Sequence, residues 1–354
     1  MQRATSRFLL RISSTLLLAA ALSGCGAALT YYASLPQNDA GNDLSEPSLA
    51  SDVFLTEMAR EFGLMALFAD VVYRRDIPAD RRIGSGCNYL GGDDAKVPSF
   101  GMPHGGPQDG RWKRWNPKID GVQPCFDASG LYYETYVFED GDGKLRQAVI
   151  AFRGTENRGS QFFYDWSSNL TAFLGFEPNQ YTLVRERLPA ILAALSARFR
   201  ADGTPPLIHA TGHSLGGGLA QQAGYMSKDV AAVYTFNTSP VTNWSHLRLD
   251  GGIGNAYPIF HRVYHGGEIL EKIRFISTSF TDARYGRHDI GLQLAPRRAF
   301  GGHSMKIISC EFANLIAAQD PHQPARHHYP LSFIEQVVLN PASPDGCERP
   351  KDDD

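Results

Sequence analysis

Leu207-Ile208-His209-Ala210-Thr211-Gly212-His213-Ser214-Leu215-Gly216-Gly217-Gly218-Leu219-Ala220-Gln221 is the stretch that decides the fold. Pro206 to Gly212 reads as a short buried strand, and Leu215 to Ser227 as a helix. Between them, Gly212-His213-Ser214-Leu215-Gly216 is a G-x-S-x-G sequence. With Gly and Ser each near 7% of ordinary chains, such a pattern arises by chance in about one chain in ten of this length. Its context gives it weight. A tight strand-to-helix turn strains the serine backbone and lifts the hydroxyl into the open. Glycines at 212 and 216 remove side chains that would collide where strand and helix pass. The helix N-terminus lends partial positive charge to an oxyanion forming beside it. Ser214 is therefore the candidate nucleophile, and a Gly-rich junction with an incidental serine is the plainer alternative.

Working outward, Leu131 to Glu139 is an aromatic and β-branched run, followed by Asp140-Gly141-Asp142-Gly143 and then Leu145 to Arg153. That is a strand, a turn and a second strand. Tyr181 to Phe199 places Leu183, Leu188, Ile191, Leu192 and Leu195 on one face of a helix. Val230 to Asn237 and Phe260 to Tyr264 read as further strands. Strands alternating with helices predict an α/β domain with a mostly parallel sheet flanked by helices. Upstream, Leu55, Met58, Phe62, Met65, Ala66 and Val72 recur at helical spacing between Leu49 and Tyr73. Residues 84–124 are dense in Gly, Pro and Asp and read as an irregular N-terminal excursion pinned by Cys87 and Cys125.

Gly212-His213-Ser214-Leu215-Gly216-Gly217 resembles the elbow of the class 3 (fungal-type) lipases, whose fold is of the α/β-hydrolase type. Ala151-Phe152-Arg153-Gly154-Thr155 resembles that family's oxyanion strand, and Asp165-Trp166 with Asn169 and Leu170 the segment after it. Thr235-Phe236-Asn237-Thr238-Ser239-Pro240 resembles the strand that follows the nucleophile helix. The likeness spans roughly residues 130–305, and residues 25–125 contribute nothing to it. It implies ester hydrolysis through an acyl-enzyme, with phospholipase A or lysophospholipase action on envelope membranes as the alternative. A non-catalytic envelope lipoprotein on the same fold is the competing class.

A serine hydroxyl needs a base to take its proton, and the base needs an orienting acid. In this fold class the chain order is Ser, acid, His. Gly301-Gly302-His303-Ser304-Met305 resembles the family's histidine segment, which makes His303 the candidate base and His288 the runner-up. Arg262 to Leu270 resembles the strand-then-acid loop, with Glu268 where the family usually has Asp; Asp282 and Asp289 are the other acids in range. Leu215 and Thr155 are the oxyanion donors the resemblance implies, whereas Arg153 reads as structural, paired near the strand end. Phe162, Phe163, Trp166 and Phe173 fall where the family carries its lid and would meet acyl chains; aromatics packed under a loop are the plain reading.

Before the domain, Arg3, Arg7 and Arg11 precede an apolar run that ends at Leu22-Ser23-Gly24-Cys25, which resembles a lipoprotein lipobox. The run is too short to span a hydrocarbon core of about 30 Å comfortably. The division expected is a signal peptide over 1–24, a flexible tether over 25–48, one α/β domain over 49–340 and an acidic tail over 341–354. Cys25 would carry the lipid and hold the protein on the cell envelope, the outer membrane by preference. Removing residues 1–24 deletes three arginines and no acid, which takes the formal charge from -3 to -6. That balance gives no reason to propose nucleic acid as a partner. Cys87, Cys125, Cys310 and Cys347 remain and allow three connectivities; proximity favours Cys87 with Cys125 and Cys310 with Cys347. Free buried thiols are the alternative. No H-E-x-x-H and no paired Cys-x-x-Cys is present, so neither metal nor cofactor is expected. The partner expected is a lipid ester, and no oligomeric state is implied.

Overall fold

A computed structural model of the chain describes residues 29–34, 52–73, 111–154, 179–241, 243–249, 251–255, 258–266, 268, 270, 287–293 and 303–318. The strands are β1 (Leu29–Ser34), β2 (Arg111–Arg114), β3 (Cys125–Ala128), β4 (Leu131–Glu139), β5 (Leu145–Phe152), β6 (Ile208–His213), β7 (Val230–Phe236), β8 (Phe260–His265) and β9 (Arg287–Gln293). The helices are α1 (Asp52–Val71), α2 (Asn179–Ala201), α3 (Leu215–Met226), α4 (Trp244–Leu249) and α5 (Met305–Ala318). The strands form a nine-stranded sheet in the order β1-β9-β8-β7-β6-β5-β4-β2, with β3 also on β4. From β5 through β9 to β1 every pairing is parallel. β4 runs antiparallel to β5, and β2 and β3 lie end to end along its outer edge. The fold is the α/β-hydrolase type expected.

Its layering follows from alternation. Along β5, Ala148, Ile150 and Phe152 enter one core, while Val149 and Ala151 enter the other. A strand covered on both faces reads as a continuous apolar run, and Ala148-Val149-Ile150-Ala151-Phe152 is one. One core lies under α2 and α3, with Leu188, Ile191, Leu192, Leu195 and Phe199 as the buried stripe of α2. The other lies under α1, which packs on α5 and on the central strands. Burying each such leucine or phenylalanine stabilises the fold by about 1.5–3 kcal/mol relative to exposure.

Two expected boundaries change. Leu29–Ser34, inside the tether expected over 25–48, is strand β1, paired in register with His288–Gln293 of β9. Arg111–Arg114, inside the irregular excursion, is β2 on the edge of β4. Both are short edge strands whose partners lie far along or further on in the chain, so a local pattern carries no trace of the pairing. The signal peptide, Cys25, Cys87, Cys347, Thr155, the lid aromatics Phe162, Phe163, Trp166 and Phe173, Asp282 and the tail lie outside the described residues. Cys125 and Cys310 are each half of a disulfide, but with both expected partners outside the described residues no complete disulfide or connectivity is defined among them. Among the described residues no helix is long and apolar enough to cross a membrane.

Strand β6 is the centre of the sheet, and its two faces differ. Ile208 and Ala210 belong to the core beneath α2 and α3, with Gly212 on the same side. His209, Thr211 and His213 alternate onto the α1 side, yet all three are buried. The hydroxyl of Thr211 donates to the carbonyl of Met65 in α1 at 3.0 Å. His209 packs edge-on against Tyr234 at 5.5 Å, and its burial depresses its pKa from 6.5 to about 4, against a smaller opposing hydrogen bond to Ala232. The unfolded chain therefore takes up a proton that the folded protein refuses. The neutral ring's contribution is complete above pH 6.5 and is lost as pH falls toward 4, at most about 3 kcal/mol. Denaturant titrations of the wild type should show stability falling across that window, and His209→Phe should flatten the fall while keeping the ring contact. An unchanged slope in the variant would mean that other groups control acid stability.

Candidate active site

Ser214 stands between the end of β6 and the start of α3 with φ 55° and ψ -125°. A non-glycine residue in that region carries on the order of 1–3 kcal/mol of strain and persists only where its surroundings hold it. They do so on both sides. Its N–H donates to Phe236 O at 3.1 Å, and its carbonyl accepts from Gly217 and Ser239, each at 3.0 Å. The Ser214 side chain caps no helical N–H. Its hydroxyl instead lies 3.0 Å from Nε2 of His303.

Two glycines make the turn possible. A Cβ on Gly212 would run into the carbonyl of Gly216 and come within 2.9 Å of Gly217 N, and one on Gly216 would strike the backbone of Phe152. The elbow is thus wedged between its own helix and the end of β5. At that end, a Cβ on Gly154 would lie 2.6 Å from His213 O and 3.1 Å from Ser214 Cβ. The segment expected to donate to an oxyanion therefore arrives beside the nucleophile, although Thr155 itself lies beyond the described residues. Leu215 opens α3 directly after Ser214. Arg153 stacks over the Tyr132 ring at 4.2 Å and lies 3.8 Å from Asp127.

Glu268 reaches the site from the loop after β8. That loop is fixed to the next strand by Gly266 N–H donating to Leu292 O at 2.8 Å. Oε2 of Glu268 accepts from Leu270 N–H at 2.9 Å and lies 2.7 Å from Nδ1 of His303. The carboxylate side chain is fully buried and the imidazole is 13% exposed. An ionised carboxylate only accepts, so Nδ1 carries the proton and the Nε2 lone pair faces the serine hydroxyl. Ser214, His303 and Glu268 are thereby brought together from three separate stretches of chain. His288 and Asp289, the alternatives in described sequence, are instead residues of β9 paired within the sheet.

Three participants had no role in the sequence reading. His213 extends past the serine to donate a hydrogen bond to the carbonyl of His303, Tyr73 sits against His213, and Asp70 accepts from Ser309 of α5 at 3.0 Å. His213 was in plain view inside the motif, but nothing local says that its ring turns to a residue ninety positions on. Among the described residues no group of three or more His, Cys, Asp or Glu is placed to hold a metal ion.

Comparison with known proteins adds the following. A family model described as phospholipase-like, the Tle-like phospholipase domain, matches residues 65–245. The match begins inside α1, which the sequence motifs left unassigned, and stops short of Glu268 and His303. The extracellular phospholipase A1 of Serratia liquefaciens is 38% identical over 104 residues, which are 29% of this chain and 28% of that protein. The chain thus matches little more than a quarter of that relative's length. Among solved structures, lipase II of Rhizopus niveus covers 63% of this chain and 77% of its own at 18% identity and a TM-score of 0.35. The extracellular lipase LipA of Serratia marcescens covers 54% and 32% at 20% identity, with a TM-score of 0.32.

The close approach at the elbow has a measurable consequence. Gly212→Ala places a methyl group against backbone that cannot turn aside, so it should lower stability by about 1–3 kcal/mol in a denaturant titration. Wild-type stability in that variant would mean that strand and helix do not pass as closely as described.

Proposed function

The chain belongs to the Tle-like phospholipase domain family, and from that premise we propose that it hydrolyses carboxylic esters of lipids, with Ser214 as nucleophile, His303 as general base and Glu268 as orienting acid. The observation that carries the reading is the relay from Ser214 Oγ to His303 Nε2 at 3.0 Å and from His303 Nδ1 to Glu268 at 2.7 Å. In the reaction, Ser214 Oγ attacks the ester carbonyl while its proton passes to Nε2 of His303. The imidazolium so formed lies against the Glu268 carboxylate, an attraction on the order of 4 kcal/mol for charges about 4 Å apart at an effective dielectric near 20. The carbonyl oxygen becomes an oxyanion, which takes hydrogen bonds from Leu215 N–H and from Thr155. Each such donor contributes about 2.7–4 kcal/mol to the transition state. His303 then returns its proton to the departing alkoxide. Water, deprotonated by the same imidazole, frees the fatty acid and restores Ser214.

Phospholipid is the preferred substrate class. The family's description and the name of the Serratia liquefaciens relative both point to phospholipids. Triacylglycerol is the second reading, resting on the motifs shared with class 3 lipases. Phe162, Phe163, Trp166 and Phe173 supply the apolar surface for acyl chains in either case. Cys25 is the lipid attachment point and the cell envelope the location.

The triad acts as a unit, so losses within it do not add. Ser214→Ala, His303→Ala and the double variant should therefore show the same residual turnover on phospholipid vesicles, and Glu268→Ala should follow them more closely than Asp289→Ala does. Near-normal turnover in His303→Ala at pH 7 would place the base elsewhere. A parallel assay on triacylglycerol emulsion and soluble p-nitrophenyl esters separates the two substrate readings by their rates. For the anchor, Cys25→Ala should abolish fatty-acid labelling of the protein and release it from the membrane fraction; a variant that stays fully membrane-bound removes the lipid tether.

A further inference from the structure

The last residue of β6, His213, and the turn residue after it, Ser214, face opposite ways. Ser214 faces His303 through its hydroxyl, while His213 turns its ring toward α1 and the backbone beneath His303. Nε2 of His213 lies 2.6 Å from the carbonyl oxygen of His303, and its Nδ1 lies 2.6 Å from the hydroxyl of Tyr73. The two imidazoles are neighbours, with centroids 4.7 Å apart, and Tyr73 meets the His213 ring edge-on at 5.8 Å. Tyr73 and His213 are 6% and 5% exposed.

The hydrogen-bond directions follow from the atoms. A carbonyl oxygen can only accept, so Nε2 of His213 carries a proton and donates it to His303 O. In a neutral ring Nδ1 then holds a lone pair and accepts from the Tyr73 hydroxyl. The sequence of donors is Tyr73 O–H to His213 Nδ1, then His213 Nε2–H to His303 O. We propose that Tyr73 and His213 form a positioning relay, which fixes the backbone of the general base from the same elbow that carries the nucleophile. This rests on the triad reading and deepens it. These two hydrogen bonds act on the His303 backbone and not on the Ser214 hydroxyl. The Tyr73 hydroxyl supports the Nε2–H tautomer of His213 that the His303 carbonyl requires, and His213 holds that carbonyl so that Nε2 of His303 stays in reach of Ser214 Oγ.

The surroundings make the relay rigid. Tyr73 lies two residues beyond the end of α1, and that helix is tied to β6 by Thr211 on Met65 O and to α5 by Ser309 on Asp70. α5 begins two residues after His303. The base is therefore held from both sides, through its own helix and through its carbonyl. Without the Tyr73 hydroxyl, His213 can move its proton to Nδ1. Two lone pairs would then face each other across the contact with His303 O, and the loop would shift. Displacement of a catalytic group by about 1 Å can cost about 100-fold in rate.

The test is a set of variants assayed on phospholipid vesicles and for the rate at which a fluorophosphonate labels Ser214. Tyr73→Phe should lower kcat and the labelling rate together by about 10-fold with KM unchanged. His213→Phe, which keeps a ring but has no donor, should lose about 100-fold. His213→Gln keeps an N–H near the Nε2 position and should recover most of that loss. Normal kcat in Tyr73→Phe and His213→Phe overturns the relay, and so does a His213→Gln enzyme as slow as His213→Phe. Should His213→Phe fail to fold, Tyr73→Phe, which removes a single oxygen, and His213→Gln decide the matter. Ser214→Ala run beside them separates the two levels. Full hydrolysis by that variant overturns the triad itself, whereas an inactive Ser214→Ala beside an unimpaired Tyr73→Phe overturns the relay alone.

Discussion

The contact between Gly212 and Gly216, across the turn from β6 into α3, is the constraint from which the rest of the site follows. No side chain can stand between strand and helix there. The intervening Ser214 is consequently forced to positive φ and stands clear of both elements. Had the turn been looser, the serine backbone could relax and its hydroxyl could cap α3 like an ordinary residue at a helix start. The sheet keeps it from doing so. The N–H and carbonyl of Ser214 are both engaged, the first by the end of β7 and the second by α3 and Ser239. The strain is thus held by hydrogen bonds of the neighbouring strand ends, each worth about 0.5–1.5 kcal/mol.

A second dependence runs through α1. Its apolar side fills the core on one face of the sheet, with Phe62, Met65, Leu67 and Phe68 buried there. Its C-terminal end carries polar contacts instead. Asp70 meets α5, Tyr73 meets the elbow, and the Met65 carbonyl meets Thr211 in β6. A buried polar group without a partner costs about 1–3 kcal/mol, so the polar face of β6 and the end of α1 have to be in register. That requirement couples the packing of a helix begun at residue 52 to the placement of a histidine at residue 303.

On the opposite face, polar packing continues beneath α3. Gln221 donates to Thr238 and to Ser239 O, and Asn243 donates to Gln222, which donates in turn to Tyr181 O. These bonds pin the segment after β7 to the nucleophile helix. At the far edge, Glu134 accepts from Tyr132, Tyr136 and Arg114 within the sheet. The buried charge is satisfied by groups on its own and the adjoining strand, as a buried carboxylate must be.

The sequence by itself determined the elements whose signals are local. β4, β5, α2, β6, α3, β7 and β8 lie where period and turn residues put them, and Ser214 is set at a tight turn by glycines that stand near it in the chain. Glu268 and His303 were candidates through the resemblance of their flanking segments, and the fold brings their side chains to 2.7 Å. The edge strands β1 and β2, by contrast, have no local signature, because what makes them strands is an open edge of β9 or β4 supplied by distant chain. Leu29–Ser34 sits among residues with no apolar period, and Arg111–Arg114 within a run rich in Gly and Pro. Likewise His209, Thr211 and His213 fall in a segment read as a buried strand, but which element closes over its polar side is not written locally, and α1 does so in the fold. The chemistry of a residue is written in its side chain. Its partner is not, because hydrogen bonds reach about 3 Å and only the folded sheet brings residues 73, 213 and 303 within that distance.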